Sequence, residues 1–447
     1  MSNIDLTKEF IDLINDRQNE ELVPLLERLF PQDIAEIFDD LDLDQAVYLA
    51  SLVDNQKRVD ILKELEPDVK IKYLNGYTSE EIANVFFTLM DSDDAADILN
   101  SIEVERGKEI LRKIEDKDHS KNIASLLRFP ENTAGALMAK ELIRVRTNWT
   151  VKQCTEEIRK QAEEVSNVFA AYVVDEFEEL VGWISLKRIL LAKEQTKIEK
   201  LYDTNVISEN TYTSGEEVAG TMQKYDLVTL PVVDAFDRLV GIITFDDVLD
   251  YVKDEAEKDY QMLSGLSESV EVKDSIWLNT RARLPWLVVG LAGGVASSLV
   301  IKGFEAEIER NVHLALFIPL IMAMAGNVGV QSSSIMVQGL ANKSISSSGL
   351  WGKLGKELVV ALFNGLVCSG LLMAYGFISG NTKEIMMTVS LALLSVILIA
   401  AIIGTVVPLI LDKVKIDPAL ATGPFITTSN DLVGLFLYFI IGNMILG

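Results

Sequence analysis

Cysteine and histidine are nearly missing from this sequence. Two cysteines stand in 447 residues. Cys154 lies in a charged stretch and Cys368 in an apolar run, so neither a disulfide nor a zinc site is expected. The two histidines, His119 and His313, have no ligand spacing. No P-loop, nucleophile–base pair or paired-cysteine motif occurs, so the chain is read as no enzyme. The opening MSNIDLTKEF has neither a basic nor an apolar run, so no signal peptide is expected and the front half is expected to stay cytosolic. Basic side chains are scarce too, 41 Lys and Arg against 67 Asp and Glu, a formal charge of -26. Acid this dense repels nucleic acid and anionic lipid, and it attracts cations.

That imbalance is uneven. From Ile276 onward ten Lys/Arg face eight Asp/Glu, a net of +2, which leaves residues 1–275 at -28. A positive mean hydropathy beside so acidic a front half means two materials in one chain, a charged soluble part and a membrane part. The length suits about three domains.

The membrane part reads as five apolar segments, near 282–303, 313–337, 357–379, 385–411 and 420–446. Each is long enough to cross a hydrocarbon core of about 30 Å. Arg281, Arg283, Lys343, Lys353, Lys356, Lys413 and Lys415 lie on one side. The other side has only Lys302, Arg310 and Lys383 beside four glutamates. By charge bias the front half is expected inside and the C-terminus outside.

Polar content concentrates in two segments. The second carries Pro319 and then GNVGVQSSS (326–334). The fifth carries DPALATGPFITTSNDLVG (417–434), in which Asp431 sits well inside the apolar run. An ionisable group at membrane depth is costly unless it meets water, an ion or a partner, so it marks a functional site. That Asp431 merely ends a short helix is the weaker reading, because the flanking apolar run is long enough to span. Gly290, Gly293, Gly294 and Ala296 of the first segment are expected to serve close helix packing.

Residues 1–130 read as short amphipathic helices in a small solenoid. Ile34, Ile37, Phe38 and Leu41 fall at helical spacing, and Ile82, Val85, Phe86 and Met90 nearly repeat it. Asp93 and Asp97 lie one turn apart on one expected face, a solvated face or a cation-binding surface.

From 131 to 252 short strand-like runs alternate with helices. AYVVDEFEELVGWISLKRIL (171–190) repeats as LPVVDAFDRLVGIITFDDVL (230–249) at an offset of 59. These units resemble a pair of CBS domains, regulatory modules that often bind adenosine nucleotides. The nucleotide-binding pattern Gly-x-x-Ser/Thr-x-x-Asp survives in the second copy as Gly241, Thr244 and Asp247. The first copy has Gly182, Ser185 and Arg188, which leaves one nucleotide site at most, at Thr244 and Asp247. Helix capping is the alternative role of Thr244. An acidic helix follows, with Asp247, Asp250 and Asp254 on one stripe and Glu255 and Asp259 beside it. It is expected to continue through SESVEVKDS and to reach the membrane at Leu278. The working division is therefore 1–130 helical N-domain, 131–252 tandem CBS domains, 253–277 connecting helix and 278–447 transmembrane pore domain.

This order of parts, with the AGNVGVQ and DPA…TTSND…G runs, resembles the MgtE family of magnesium channels over essentially the whole chain. The resemblance implies a multi-domain fold: an all-α N-domain, α/β CBS domains, a connecting helix and five membrane helices. It also implies a homodimer in the cell membrane, an ion pathway between subunits, and Asp431 as the magnesium-binding residue of the pore. Further Mg2+ ions on the cytosolic domains would hold the channel closed. Two-fold symmetry would bring a second Asp431 to the ion. Magnesium keeps several waters when bound, so Asn327, Gln331, Thr427 and Thr428 are expected at its hydration shell. Asp417 is expected at the cytosolic mouth. Matched to family positions, the bridging acids are Asp93, Asp97, Glu216, Asp226, Asp247, Asp250, Glu255 and Asp259. Ser214 stands where the family commonly has an acid. Implied ligands are Mg2+ and, at the CBS pair, ATP. Two competing functions are a membrane-anchored CBS nucleotide sensor and a CBS-regulated carrier for another solute.

Overall fold

A computed structural model of the protein describes residues 10–38, 40–162, 165, 167–268, 270, 275–341, 350–421 and 423–446. It separates into two compact units, 1–252 and 253–447.

The first unit begins with short helices, among them Pro31–Phe38, Leu43–Ser51, Asn55–Glu64 and Ser92–Ser101. Capping residues set the starts of several of the short helices. The Asp42 carboxylate accepts from the Gln45 amide and the Gln45 side chain returns to Asp42, and Thr78 and Glu81 do the same. Such reciprocal caps satisfy orphan amides that a short helix cannot satisfy internally. The sequence-spaced residues Ile34, Ile37, Phe38 and Leu41 are all buried. The second set departs from the expected α-helix, since residues Ile82–Phe87 form a π turn. Its wider turn places Ile82, Ala83, Phe86 and Phe87 in the core together. Phe86 meets Tyr73 and Tyr77 edge to face.

The repeat folds as two three-stranded sheets with the same topology. Strands β1 (Arg144–Arg146), β2 (Ala171–Val174) and β3 (Leu180–Ile184) form one; β4 (Glu209–Asn210), β5 (Thr229–Val233) and β6 (Leu239–Thr244) form the other. In each, the first pair is parallel and the second antiparallel. The offset of 59 holds down to the irregularities. Val173 pairs with Gly182 and Val232 with Gly241, and both registers shift at the next residue. The paired glycines have a steric reason. A Cβ on Gly241 would lie 2.8 Å from the Ala139 carbonyl, and one on Gly182 would overlap that of Asp203. Another backbone pairs with the last strand of each sheet there, Ala139 O accepting from Ile242 N–H and Asp203 O from Trp183 N–H. Val218, Met222, Leu230, Ile243 and Val248 of the second copy share one buried core with the N-terminal helices.

The helix Phe245–Leu263 leads out of this unit, and here the expectation fails. It does not run on through SESVEVKDS. Gly265 takes φ +83°, the Leu266 amide donates to Gln261 O and the Gly265 amide to Met262 O. That pairing is a Schellman cap, which terminates a helix where a glycine accepts the left-handed conformation. Positions 269 and 271–274 of the expected continuation lie outside the described residues.

In the second unit five helices are long and apolar enough to cross a membrane: Ile276–Gly303, His313–Ala341, Gly352–Ser379, Lys383–Lys413 and Pro424–Leu446. The fourth is the centre. It packs on the second, third and fifth, and buries Val389, Leu393, Val396, Ile397 and Ala401. The first leaves Leu287, Leu291, Val295 and Leu299 exposed, as a lipid-facing helix does. Among the described residues Gly293 meets Thr428, whereas Gly290 and Gly294 face open space.

Candidate functional site

The polar stretches of the second and fifth spans come together. Gly326, Asn327, Gln331, Thr427 and Asp431, with Met322, Ala323 and Val330, line a cavity of about 380 Å³. Asn327 and Gln331 are one turn apart and share that face. Two glycines let the last span approach so closely. A Cβ on Gly326 would lie 3.0 Å from Thr427 Cγ2 and 3.5 Å from Asp431 Oδ1, and one on Gly329 would overlap the Asn430 amide. Among the described residues Asp431 Oδ1 has no hydrogen-bond partner. A carboxylate so placed can take a cation or its bound water from the cavity.

The two threonines part company. The Thr428 hydroxyl donates to Pro424 O at 2.6 Å, and its methyl meets Gly293 of the first span. It therefore packs between helices and does not line the cavity, whereas Thr427 does. Asp417 is exposed and accepts from the Ala419 amide at 2.8 Å, which caps the short turn Pro418–Ala421. Asn430 is the residue that sequence reasoning passed over. It is 1 % exposed, and neither end of its amide has a partner among the described residues. Its position beside Asp431 was the available signal.

A second acidic site lies in the first unit. Asp93 is buried, and its Oδ1 has no partner among the described residues. Burial, and then the charges of Asp94, Asp247 and Asp91, hold its pKa well above the usual carboxylate range. Asp247 is pushed up to about 6, by burial first; the hydrogen bonds from Thr244 oppose this, and Asp246 and Asp94 add to it. Lys63 bridges to Asp94 and lies 3.6 Å from Asp91, so it offsets part of that charge. One carboxylate from the N-terminal helices and one from the second CBS copy thus share a poorly solvated spot. Uncompensated buried charge is expensive, and a cation with hard oxygen preference suits it. No group of three or more acidic, His or Cys side chains is arranged to hold a metal among the described residues.

The other bridging candidates of the first unit are exposed. Asp97, one turn from Asp93 on the same helix, is exposed, whereas Asp93 is buried at the inner edge of that face. Glu216, Asp226 and Asp250 are exposed on the second CBS copy, with Asp226 left-handed at φ 52°. Glu255 lies 3.4 Å from Lys258, and both Glu255 and Asp259 are half-buried in the second unit.

Sequence reading also missed what fixes Asp93. Glu141 Oε2 accepts from Ser92 N–H at 3.1 Å and from Ser92 Oγ at 2.7 Å, and His119 Nδ1 lies 3.5 Å from Oε1. His119 Nε2 contacts Phe87 O at 2.8 Å. Three segments meet in this clasp, one residue from Asp93.

The family model described as a divalent cation transporter matches residues 318–441, the MgtE intracellular N domain 29–132, and the CBS domain 134–194 and 198–254. A magnesium transporter MgtE of Bacillus subtilis (strain 168) is 31% identical over 442 residues, 98% of this chain and 97% of the relative. The chain belongs to the MgtE family of magnesium transporters. An MgtE of Thermus thermophilus is 30% identical, covering 94% of each chain. The crystal structure of the cytosolic domain of the Mg2+ channel MgtE in complex with ATP aligns at 29% identity with a TM-score of 0.52. It covers 55% of this chain and 99% of that one. The N-domain, CBS pair and five long apolar helices are thus an MgtE architecture.

Two departures of this MgtE chain acquire structural roles. Ser214 caps the helix Gly215–Tyr225 by accepting from the Glu217 amide at 3.3 Å. Arg188, in the place of the nucleotide-motif acid, donates to Leu201 O at 3.1 Å. In the second copy the Asp247 carboxylate accepts from the Thr244 amide at 3.3 Å and from its hydroxyl, directly before the helix Phe245–Leu263.

Proposed function

We propose that this chain acts as a homodimeric, magnesium-selective channel or transporter for Mg2+ uptake across the cell membrane, without catalytic chemistry. The observation that carries the reading is Asp431, a half-buried carboxylate whose Oδ1 has no hydrogen-bond partner among the described residues, in one cavity with Asn327 and Gln331. One carboxylate is a thin ligand set for a dication, and a two-fold axis supplies the second. Asn327, Gln331 and Thr427 would hold the waters that Mg2+ keeps. Asp417 would act further out, where arriving ions meet the protein. Residues 1–252 would lie in the cytosol and the C-terminus outside, which follows the charge bias of the connecting segments. Working boundaries are 1–130, 131–252, 253–277 and 278–447.

Closure by Mg2+ follows from charge. Asp93 and Asp247 repel while unligated, and a dication between them converts a cost into a tie. Asp97, Glu216, Asp226, Asp250, Glu255 and Asp259 would add weaker sites on the exposed acidic surface. A swing from mostly open to mostly closed takes about 5.5 kcal/mol of differential binding. Several sites at roughly 1–3 kcal/mol of coupling each would supply it. ATP is a further proposed ligand of the CBS pair, supported by the ATP complex of the related cytosolic domain. Thr244 and Asp247 would contact it in competition with their mutual hydrogen bonds.

The deciding experiment is Mg2+ uptake into liposomes holding the full chain. Asp431→Ala is expected to abolish uptake while the protein remains monodisperse; unchanged uptake sinks the pore assignment.

A further inference from the structure

We propose that Glu357, on the third span, is a positioning residue of the ion path. It holds the second span, through Ser332, in the rotational setting that turns Asn327 and Gln331 toward Asp431. The proposal rests on the reading of the Asp431 cavity as that path.

The observation is one hydrogen bond. Ser332 Oγ donates to Glu357 Oε1 at 2.6 Å. Ser332 is 3 % exposed, and Glu357 is half-buried near the start of a helix long and apolar enough to span. A carboxylate at the end of a span could reach water, and this one instead accepts from a buried hydroxyl of the neighbouring helix. Glu357 lies outside the cavity lining, so its role is not explained by contact with the ion.

Helix geometry says what the bond controls. Ser332 follows Gln331 directly, so its side chain leaves the helix about 100° around the axis from the cavity face. Behind it the fourth span presses close. A Cβ on Gly404 would lie 2.5 Å from Gly329 O and 3.0 Å from Ser332 Cβ. That contact and the buried side chains Phe317, Ile321, Met336 and Val337 hold the second span against its neighbours. The Ser332–Glu357 bond, off the cavity face, adds a directional polar tie to the third span that fixes the setting of the turn carrying Gln331. A small rotation there would swing Asn327 and Gln331, one turn apart on the neighbouring face, away from Asp431.

The test uses the full chain in liposomes, with initial rates of Mg2+ entry and of Co2+ entry measured separately. Ser332→Ala and Glu357→Ala are each expected to lower the Mg2+ rate about tenfold and to reduce the ratio of Mg2+ to Co2+ entry. Glu357→Gln should recover most of the loss, because its amide oxygen still accepts from Ser332. The double alanine variant should be no worse than either single, as expected for two partners of one interaction. Wild-type rate and ratio in Glu357→Ala would overturn the proposal. So would a wild-type Ser332→Ala beside a Glu357→Gln as impaired as Glu357→Ala, since charge would then matter and not the bond. Should Glu357→Ala fail to fold, Ser332→Ala, which deletes a single hydroxyl, decides on the same criteria. Asp431→Ala run in parallel separates the two readings. If it still transports, the pore assignment falls; if it is dead while both alanine variants behave as wild type, only the role of Glu357 falls.

Discussion

Asp93 and Asp431 are both carboxylates with an oxygen that lacks a partner among the described residues, yet their surroundings are opposite. Asp93 sits among acids, with Asp91, Asp94 and Asp247 all raising its proton affinity and Lys63 only partly offsetting them. Asp431 faces amides, a hydroxyl and apolar side chains, with no second acid lining its cavity among the described residues. Crowded acids respond steeply to a dication, because each ion bound removes repulsion as well as adding attraction. A solitary acid binds weakly enough to release what it takes. The first arrangement suits a sensor and the second a conduit, so a change of charge should act differently in the two places.

The sharpest break is at Asp431. Beyond the alanine variant, Asp431→Asn keeps the shape and removes the charge. Initial Mg2+ uptake should fall by about two orders of magnitude, with elution on gel filtration unchanged. A variant that transports normally would make the solitary carboxylate incidental.

At the crowded site the same change should act in the opposite direction. Asp93→Asn with Asp247→Asn removes repulsion and the ligand together. Uptake should persist, and the Mg2+ concentration that half-closes the protein should rise about tenfold. Limited proteolysis supplies the second measure. Chelation should expose the wild-type cytosolic region to cleavage, whereas the double variant should resist equally with and without Mg2+. Equal sensitivity of wild type and variant to chelation would remove these two acids from the switch.

The clasp beside Asp93 offers a smaller effect. Burial works against a charge on His119, but the hydrogen bond and charge of Glu141, the Phe87 carbonyl and Asp116 outweigh it and raise its pKa. A raised value in the folded state means stability that is fully present below about pH 6.5 and lost as the pH rises through the folded value. In Mg2+-free buffer the thermal midpoint should therefore decline across that window. His119→Gln should flatten the part of the decline that His119 supplies, and an identical slope in both proteins would exclude it.

The residues show which features a linear reading reaches. The tandem repeat was legible down to Gly182 and Gly241, because one residue type answers one steric demand in both copies. The spans were legible because about twenty apolar residues have few other uses. Asp431, Asn327 and Gln331 stood out because polar groups at that depth need a reason. The end of the connecting helix was misjudged, since its acidic pattern continues while the cap depends on the φ of Gly265. The Ser92–Glu141–His119 clasp was illegible, as its members lie up to 49 residues apart and each is unremarkable locally. The different burial of Asp93 and Asp97 was illegible for a related reason: spacing gives the angle between two side chains, and only packing decides which is inside.

Ser214 carries the smallest expected effect and separates fold from charge at one position. Its hydroxyl accepts from the Glu217 amide at 3.3 Å and opens an eleven-residue helix that carries Glu216 in its first turn. Ser214→Ala should cost about 1 kcal/mol of stability through the lost cap and leave the half-closing Mg2+ concentration unchanged. Ser214→Asp keeps a good cap and adds a carboxylate two residues from Glu216. It should fold as well as the parent and close at about two- to fivefold less Mg2+, as one added unit of coupling would give. Closure unchanged by Ser214→Asp would mean that the acidic surface around Glu216 does not bind the ion, and the switch would then rest on Asp93 and Asp247.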